Sequence, residues 1–233
     1  MWYKYETHLH TSETSACARA SAKDQIEFYA REGYAGVVVT DHFLNGNTTV
    51  PKSGIPWEEQ IALFCKGYEN AKKAATEFGL DVYFGLEYSY HGTDFCTYGI
   101  TPDWLLHHPE IMEMSTSEYL DFVRGDGGVV IQAHPFREAP YIDAIRLFPR
   151  HVDGAEIINI ANTDFQNGMA KEYAKKYGLR EFAGSDNHLG FKQEKLAGIK
   201  TNVKPRSYSE FINLILENKY KIFEYKPKKY GGN

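Results

Sequence analysis

Short apolar runs that lack polar alternation recur along this chain, and stretches of helical periodicity separate them. The run Gly36-Val37-Val38-Val39 lies inside Tyr34–His42, and Val129-Val130-Ile131 opens Val129–Pro135. Such runs suit strands buried on both faces of a parallel sheet. Read in order, strands are expected at Tyr5–Thr11, Tyr34–His42, Asp81–Glu87, Val129–Pro135, Gly154–Asn159 and Glu181–His188, with a shorter apolar piece at Phe95–Ile100. Helices are expected at Ala20–Gly33, where Ser21 and Asp24 form a capping box, and at Trp57–Gly79, Ser115–Val123, Tyr141–Phe148, Phe165–Tyr177 and Ser207–Asn218. Residues 220–233 read as a C-terminal tail, polar and frayed from Lys226 onward. The alternation β-α-β-α means a parallel sheet with helices outside, and with about seven strands a closed α/β barrel in a single domain is the natural arrangement.

The 233 residues suffice for one such domain with a sizeable core. A net charge of −5 leaves no basic footprint, which disfavours long nucleic acids and anionic membranes as partners. No run of about 18 apolar residues suggests a membrane span. Met1-Trp2-Tyr3-Lys4 leads straight into the first strand, so no signal peptide is expected. Cys17, Cys65 and Cys96 are odd in number and lack CxxC spacing, a pattern that suits a reducing cytoplasm.

The chemistry collects at the strand ends. Residues two apart on a strand share a face, so His8 and His10 aim at a common point. His42, Glu87, His134, and Asp186 with His188 close four further strands. Active sites of α/β barrels lie at this C-terminal face. Imidazoles and carboxylates meeting there suit zinc, manganese or iron, and a cluster of two or three such ions suits phosphoester hydrolysis by a metal-activated hydroxide. No glycine-rich phosphate loop, G-x-S-x-G elbow or CxxC pair competes with this reading.

As an ordered set, His8-Leu9-His10-Thr11, Thr40-Asp41-His42, Gly85-Leu86-Glu87, Ala133-His134-Pro135 and Gly184-Ser185-Asp186-Asn187-His188 resemble the motifs of the PHP family, the polymerase and histidinol phosphatase domains. The resemblance spans residues 3–200 and implies a distorted (β/α)7 TIM-like barrel with two or three divalent metal ions (zinc, manganese or iron) and phosphoesterase activity. It implies that His8, His10, Glu87 and Asp186 hold a first metal, that Glu87 bridges to a second bound also by His134, and that His42 and His188 hold a third. Asp41 would orient a ligand rather than bind. The chain departs from the pattern at Ser15 and Ala16, where many members carry an acid or histidine; Glu13 is the candidate substitute. Near Cys96 many members carry a histidine, and Cys96, His91 and Asp94 are rival ligands there.

A dianionic phosphate wants guanidinium groups beside the metals, which nominates Arg137 and Arg19. Asp186 and His188 are the candidate catalytic residues for proton handling. His107, His108 and His151 fall away from strand ends and read as surface or structural. The expected substrate is a small phosphorylated molecule or nucleotide. Rival readings are an amidohydrolase-like C–N hydrolase, disfavoured because no lysine ends a strand, a polymerase-associated exonuclease, and a metal- or phosphate-binding module without turnover.

Overall fold

A computed structural model describes residues 1–230. The chain runs β1 (Tyr3–Leu9), α1 (Ala22–Arg31), β2 (Gly36–Val39), α2 (Trp57–Phe64), α3 (Lys66–Phe78), β3 (Asp81–Tyr90), β4 (Thr93–Tyr98), α4 (Pro102–His107) and α5 (Thr116–Gly125). It continues through β5 (Val129–Ala133), β6 (Gly154–Asn159), α6 (Asp164–Tyr177), β7 (Arg180–Gly184), β8 (Leu196–Thr201), α7 (Tyr208–Leu216) and β9 (Lys221–Tyr225).

The strands form one sheet in the order β7-β6-β5-β4-β3-β2-β1-β8-β9. Strands β1 to β7 curl into a nearly closed barrel whose last seam, between β1 and β7, is made by a single bridge at Leu9 and Asn187. There the His10 amide donates to Asn187 O at 3.0 Å and the Asn187 amide donates to His8 O at 3.1 Å. Side chains complete the seam. Thr7 Oγ1 donates to Ala183 O at 2.7 Å, and the Ser185 amide donates to Glu6 at 2.9 Å.

Apolar residues fill two places. One layer lies between sheet and helices, with Phe43, Phe64, Phe84 and Leu86 on one side and Leu9, Ile26, Phe28 and Val37 on another. The second plugs the barrel floor, where Tyr5, Tyr83, Tyr98 and Val129 meet Phe211 and Ile215 of α7. At about 1.5–3 kcal/mol for each large side chain fully removed from water, these layers drive the fold. They leave the opposite mouth free for polar groups.

Most expected elements are present. Ser21 caps α1 with Asp24 in a reciprocal box, and Gly33 and Gly178 stop α1 and α6 at positive φ. The structure differs at five places. The apolar piece after β3 is a full strand, β4, antiparallel to both neighbours, because Tyr90-His91-Gly92-Thr93 makes a two-residue hairpin turn with φ of 50° at His91 and 77° at Gly92. The expected helix Trp57–Gly79 breaks at Cys65, since Thr14 Oγ1 intrudes on its ladder, donating to Phe64 O at 3.0 Å and accepting from the Gly67 amide at 3.3 Å.

Tyr141–Phe148 is not helical. It lies between Pro140 and Pro149, and its carbonyls serve other groups: Gln132 Nε2 donates to Arg146 O and Arg146 Nη1 to Ala144 O. Helix α4, capped by Thr101, occupies what reads as loop before Ser115, and His107 ends it. Finally, Leu196–Thr201 is strand, and 221–225 of the expected tail is its partner β9. Glu32 then collects Tyr225, the Lys228 amide and Tyr230, so the chain is pinned at least to Tyr230; residues 231–233 of the expected tail lie outside the described residues.

Candidate metal centre

The barrel mouth collects the strand-end residues. His8 and His10 leave the end of β1. Glu87 sits within β3 opposite His42, to which it is joined by a parallel bridge, with the Phe43 amide donating to Glu87 O at 2.9 Å. His134 follows β5 and Asp186 follows β7, and both adopt positive φ, 30° and 50°. For non-glycine residues that backbone costs roughly 1–3 kcal/mol and persists where the surroundings over-determine it. Here it turns each side chain back over the mouth.

Hydrogen bonds fix the imidazole tautomers. His8 Nδ1 lies 2.9 Å from Glu156 Oε1, a carboxylate that only accepts. Nδ1 therefore carries the proton and Nε2 faces the cavity. Ser15 Oγ donates to Asp41 at 2.7 Å, so it accepts from His10 Nδ1 at 3.0 Å, and His10 Nε2 also faces inward. Asp41 thus orients His10 through Ser15. Buried, it is pushed up to about 6 despite its bonds from Thr11 and Ser15.

The two Nε2 atoms meet two carboxylates. His8 Nε2 is 3.1 Å from His10 Nε2, 3.2 Å from Glu87 Oε1 and 3.5 Å from Asp186 Oδ1. His10 Nε2 is 3.5 Å from Glu87 Oε2 and 3.3 Å from Asp186 Oδ1. Donors about 2.05 Å from a tetrahedral zinc stand about 3.3 Å apart, so His8, His10 and Asp186 have the spacing for one cation, with Glu87 turning one oxygen to each imidazole. Electrostatics agree. Burial alone would lower His8, but Cys96 and the carboxylates of Glu156, Asp186 and Glu87 outweigh it and hold the ring well above its usual value. Burial, His188 and His42 keep His10 well below, hence neutral. Against burial, histidines and Arg137 hold Glu87 and Asp186 well below the carboxylate range. A proton on His8 Nε2 then stands where a metal ion would.

Further groupings adjoin this one. Glu87, Asp94 and His134 offer donor atoms within 4.8 Å of one another, as do His10, His42 and His188, and as do His8, Glu87 and Cys96. His134 Nε2 is 3.1 Å from Glu87 Oε1 and 3.8 Å from Asp94 Oδ2. Asp94 and Cys96 share a face of β4 and so both enter, whereas His91 lies in the hairpin turn outside every grouping. Cys96 is buried below the mouth with its thiol pushed up to about 12, chiefly by burial.

A cavity of about 480 Å³ opens above, lined in part by Cys17, His42, Asp94, Arg137, Tyr141, Asp186 and His188. Arg137 pairs with Asp186 Oδ2 at 2.5 Å and is steadied by Asn159 at 3.1 Å and Asn162 at 3.2 Å. Two expected residues stay outside. Glu13 spends its carboxylate on the Ala22 amide at 2.9 Å, capping α1, so it does not reach the cluster. Arg19 is exposed and does not line the cavity; only its amide bonds toward the site, to His188 O. His107, His108 and His151 pair with surface acids away from the mouth.

Glu156 and Cys17 escape sequence reasoning. Glu156 is an acid in mid-strand, and its only signal is a charge inside an apolar run. Cys17 stands past the loop positions where a ligand is sought, its Sγ 3.1 Å from His188 Nε2. Burial raises the thiol, but bonds with His188 and His42 bring it down to about 6.

A family model described as PHP-associated matches residues 164–191. A two-domain protein from Bacteroides vulgatus, containing a predicted PHP-like metal-dependent phosphoesterase, superposes with a TM-score of 0.73 at 13% identity over 96% of this chain, which spans 65% of that protein. A candidate metal-dependent phosphoesterase from Bifidobacterium adolescentis gives 0.53 at 16% identity over 80% of this chain and 88% of the other. An amidohydrolase from Chromobacterium violaceum, with bound sulfate and no metal, gives 0.56 at 13% identity over 97% and 98%. No curated protein matches. Among the described residues no helix is long and apolar enough to cross a membrane. The structural likenesses, at 13–16% identity, show a shared fold, and the PHP-associated match covers residues 164–191.

Proposed function

We propose that this chain is a metal-dependent phosphoesterase hydrolysing a phosphate ester of a small molecule or nucleotide. The observation that carries the reading is the convergence of His8, His10, Glu87 and Asp186 on one point of the mouth, with the guanidinium of Arg137 paired to Asp186 beside it. His8, His10, Glu87 and Asp186 would hold a first cation, and Glu87, Asp94 and His134 a second. Bound there, divalent ions supply Lewis-acid polarisation of the phosphoryl group and a water of lowered pKa.

The chain's own residues do the rest. Glu156 and the Ser15–Asp41 pair keep His8 and His10 in the ligating tautomer. Asp186, held ionised, anchors Arg137 and serves as a ligand rather than as a proton donor. Arg137, fixed by Asn159 and Asn162, presents its remaining edge to the cavity, where it binds phosphate oxygens. His188 turns Nε2 to the same cavity because its Nδ1–H donates to Asp186 O at 2.9 Å.

The C–N hydrolase reading finds less support, since no lysine lines the cavity and the charge present is a guanidinium. The test is turnover of an aryl phosphate and a phosphoester panel by protein loaded with manganese or zinc. His10→Ala and Asp186→Ala should lose bound metal and turnover together, and Arg137→Ala should mainly raise KM. Retained turnover in both ligand variants, or hydrolysis of amides and not of phosphoesters, would overturn the proposal.

A further inference from the structure

Cys17 has no part in the four-donor cluster, yet the fold holds it at the cavity wall between two histidines. Its loop is stitched to both histidine-bearing segments. The His42 amide donates to Ser15 Oγ at 3.0 Å and the Ala16 amide to Asn47 O at 2.9 Å. On the other side the amides of Arg19 and Ala20 donate to His188 O at 2.8 and 3.2 Å. The neighbours of Cys17 in this loop have nothing to give a cation: Ser15 is spent between His10 and Asp41, and Ala16 carries no donor.

The lone pairs point the same way. His188 Nδ1–H is committed to Asp186 O, so Nε2 turns a lone pair toward Cys17 Sγ, 3.1 Å away. Sulfur and nitrogen on one tetrahedral zinc stand about 3.6 Å apart, so the pair is close enough to share an ion. Behind them, His42 Nδ1 and Glu87 Oε2 lie 2.7 Å apart, yet neither makes an aligned hydrogen bond among the described residues. The Glu87 side chain is 1% exposed. The contact is buried but misaligned, and a cation at the mouth would satisfy both atoms without that alignment.

We infer that Cys17, as a thiolate, is the third protein donor to a cation held by His42 and His188 at the cavity mouth. The inference rests on the metal-centre reading above and adds a sulfur to it. Binding breaks the S–H bond, releases that proton to solvent and forms one sulfur–metal bond, with no electron transferred. A soft donor tilts this outer position toward zinc or ferrous iron and away from manganese and magnesium, while the four-donor cluster has no such bias. Being partly exposed, the outer position is also the one a thiol reagent strips first.

The experiment is cobalt titration of the metal-free full chain, read by absorbance and by elemental analysis after gel filtration. Visible d–d bands report the N/O cluster; a near-ultraviolet thiolate-to-cobalt charge-transfer band should appear as the outer position fills. Cys17→Ser should lose that band and one retained cobalt per chain, and Cys17→Asp should recover the cobalt without the band. In the unmutated chain, zinc should slow alkylation of Cys17 by iodoacetamide at least tenfold, a readout independent of any variant's folding, because Cys65 and Cys96 are buried. Normal d–d bands with no charge-transfer band, or alkylation indifferent to zinc, would overturn the thiolate ligand and leave the four-donor cluster standing. No bound cobalt at all would overturn both.

Discussion

Glu156→Gln isolates the contribution of a residue that touches neither metal nor substrate. Glu156 is fully buried, and three donors converge on its two oxygens: His8 Nδ1 at 2.9 Å on Oε1, with the His134 amide at 3.1 Å and Asn159 Nδ2 at 2.8 Å on Oε2. Glutamine keeps the shape but has one oxygen. If that oxygen faces His134 and Asn159, the new amide points its N–H at His8, which must move its own proton to Nε2, the atom that ligates. If the oxygen faces His8 instead, two buried donors meet an NH2. Each unmade buried hydrogen bond costs about 1–3 kcal/mol, so the first orientation, with one conflict, wins over the second, with two. The cost then falls on metal binding. Losing such a partner typically weakens affinity about 10–100-fold, or about 1.4–2.7 kcal/mol. Chelator competition with zinc measures the affinity, and a thermal melt of the metal-free protein measures the fold. The expected result is the weakened affinity with a melting temperature near that of the unmutated protein. An affinity within about twofold of the original, in a folded variant, refutes the assignment of the His8 tautomer.

Metal uptake should release protons, and affinity should rise with pH, because His8 and His42 sit well above their usual values without a metal and must shed a proton to ligate. The same raised values stabilise the metal-free fold fully below the ordinary histidine pKa and are lost as pH climbs through the folded ones, so the metal-free melting temperature should fall above neutrality while the loaded protein's holds. Calorimetry in buffers of different ionisation heat, with melts across pH, checks both; a pH-independent affinity counts against them. Gly184→Ala should destabilise the chain and cut metal binding together, since a Cβ there overlaps Glu156 Oε1 and His8 Cβ. A variant that binds metal normally would show the packing to be slack. Thr14→Val strands Phe64 O and the Gly67 amide at the α2–α3 break, and about 1–3 kcal/mol lost there should lower the melting temperature by roughly 2–12 °C. An unchanged melt would mean the two helices fuse and repair the ladder.

The strands that carry the candidate site residues were legible because burial on both faces leaves an apolar run and a polar strand-end residue closes it, as at Val39 before Asp41-His42 and Ala133 before His134. The capping box of α1 was legible because it is local hydrogen-bond chemistry. What escaped was set by distant parts of the chain. Strand β4 runs backwards because of two left-handed residues at His91-Gly92, a turn that a histidine does not advertise. The break at Cys65 belongs to Thr14, fifty residues away from Phe64. Glu13 has the charge of a ligand but is closer to the bare amides of α1. Glu156 and Cys17 matter through what they face, and neither has a neighbour in sequence that says so.

The seam of the barrel carries a mechanical implication. Every other junction between neighbouring barrel strands is a ladder, whereas β1 meets β7 through one bridged pair and a few side chains. His8 and His10 stand on one lip of that join and Asp186 and His188 on the other. An ion clasped by both lips, as proposed, would work as a rivet, drawing shut the one place where the cylinder has least backbone to keep it closed. Amide exchange at His10 and Asn187 should therefore slow on loading more than at any other strand junction, and catalysis and closure would share a single fastening.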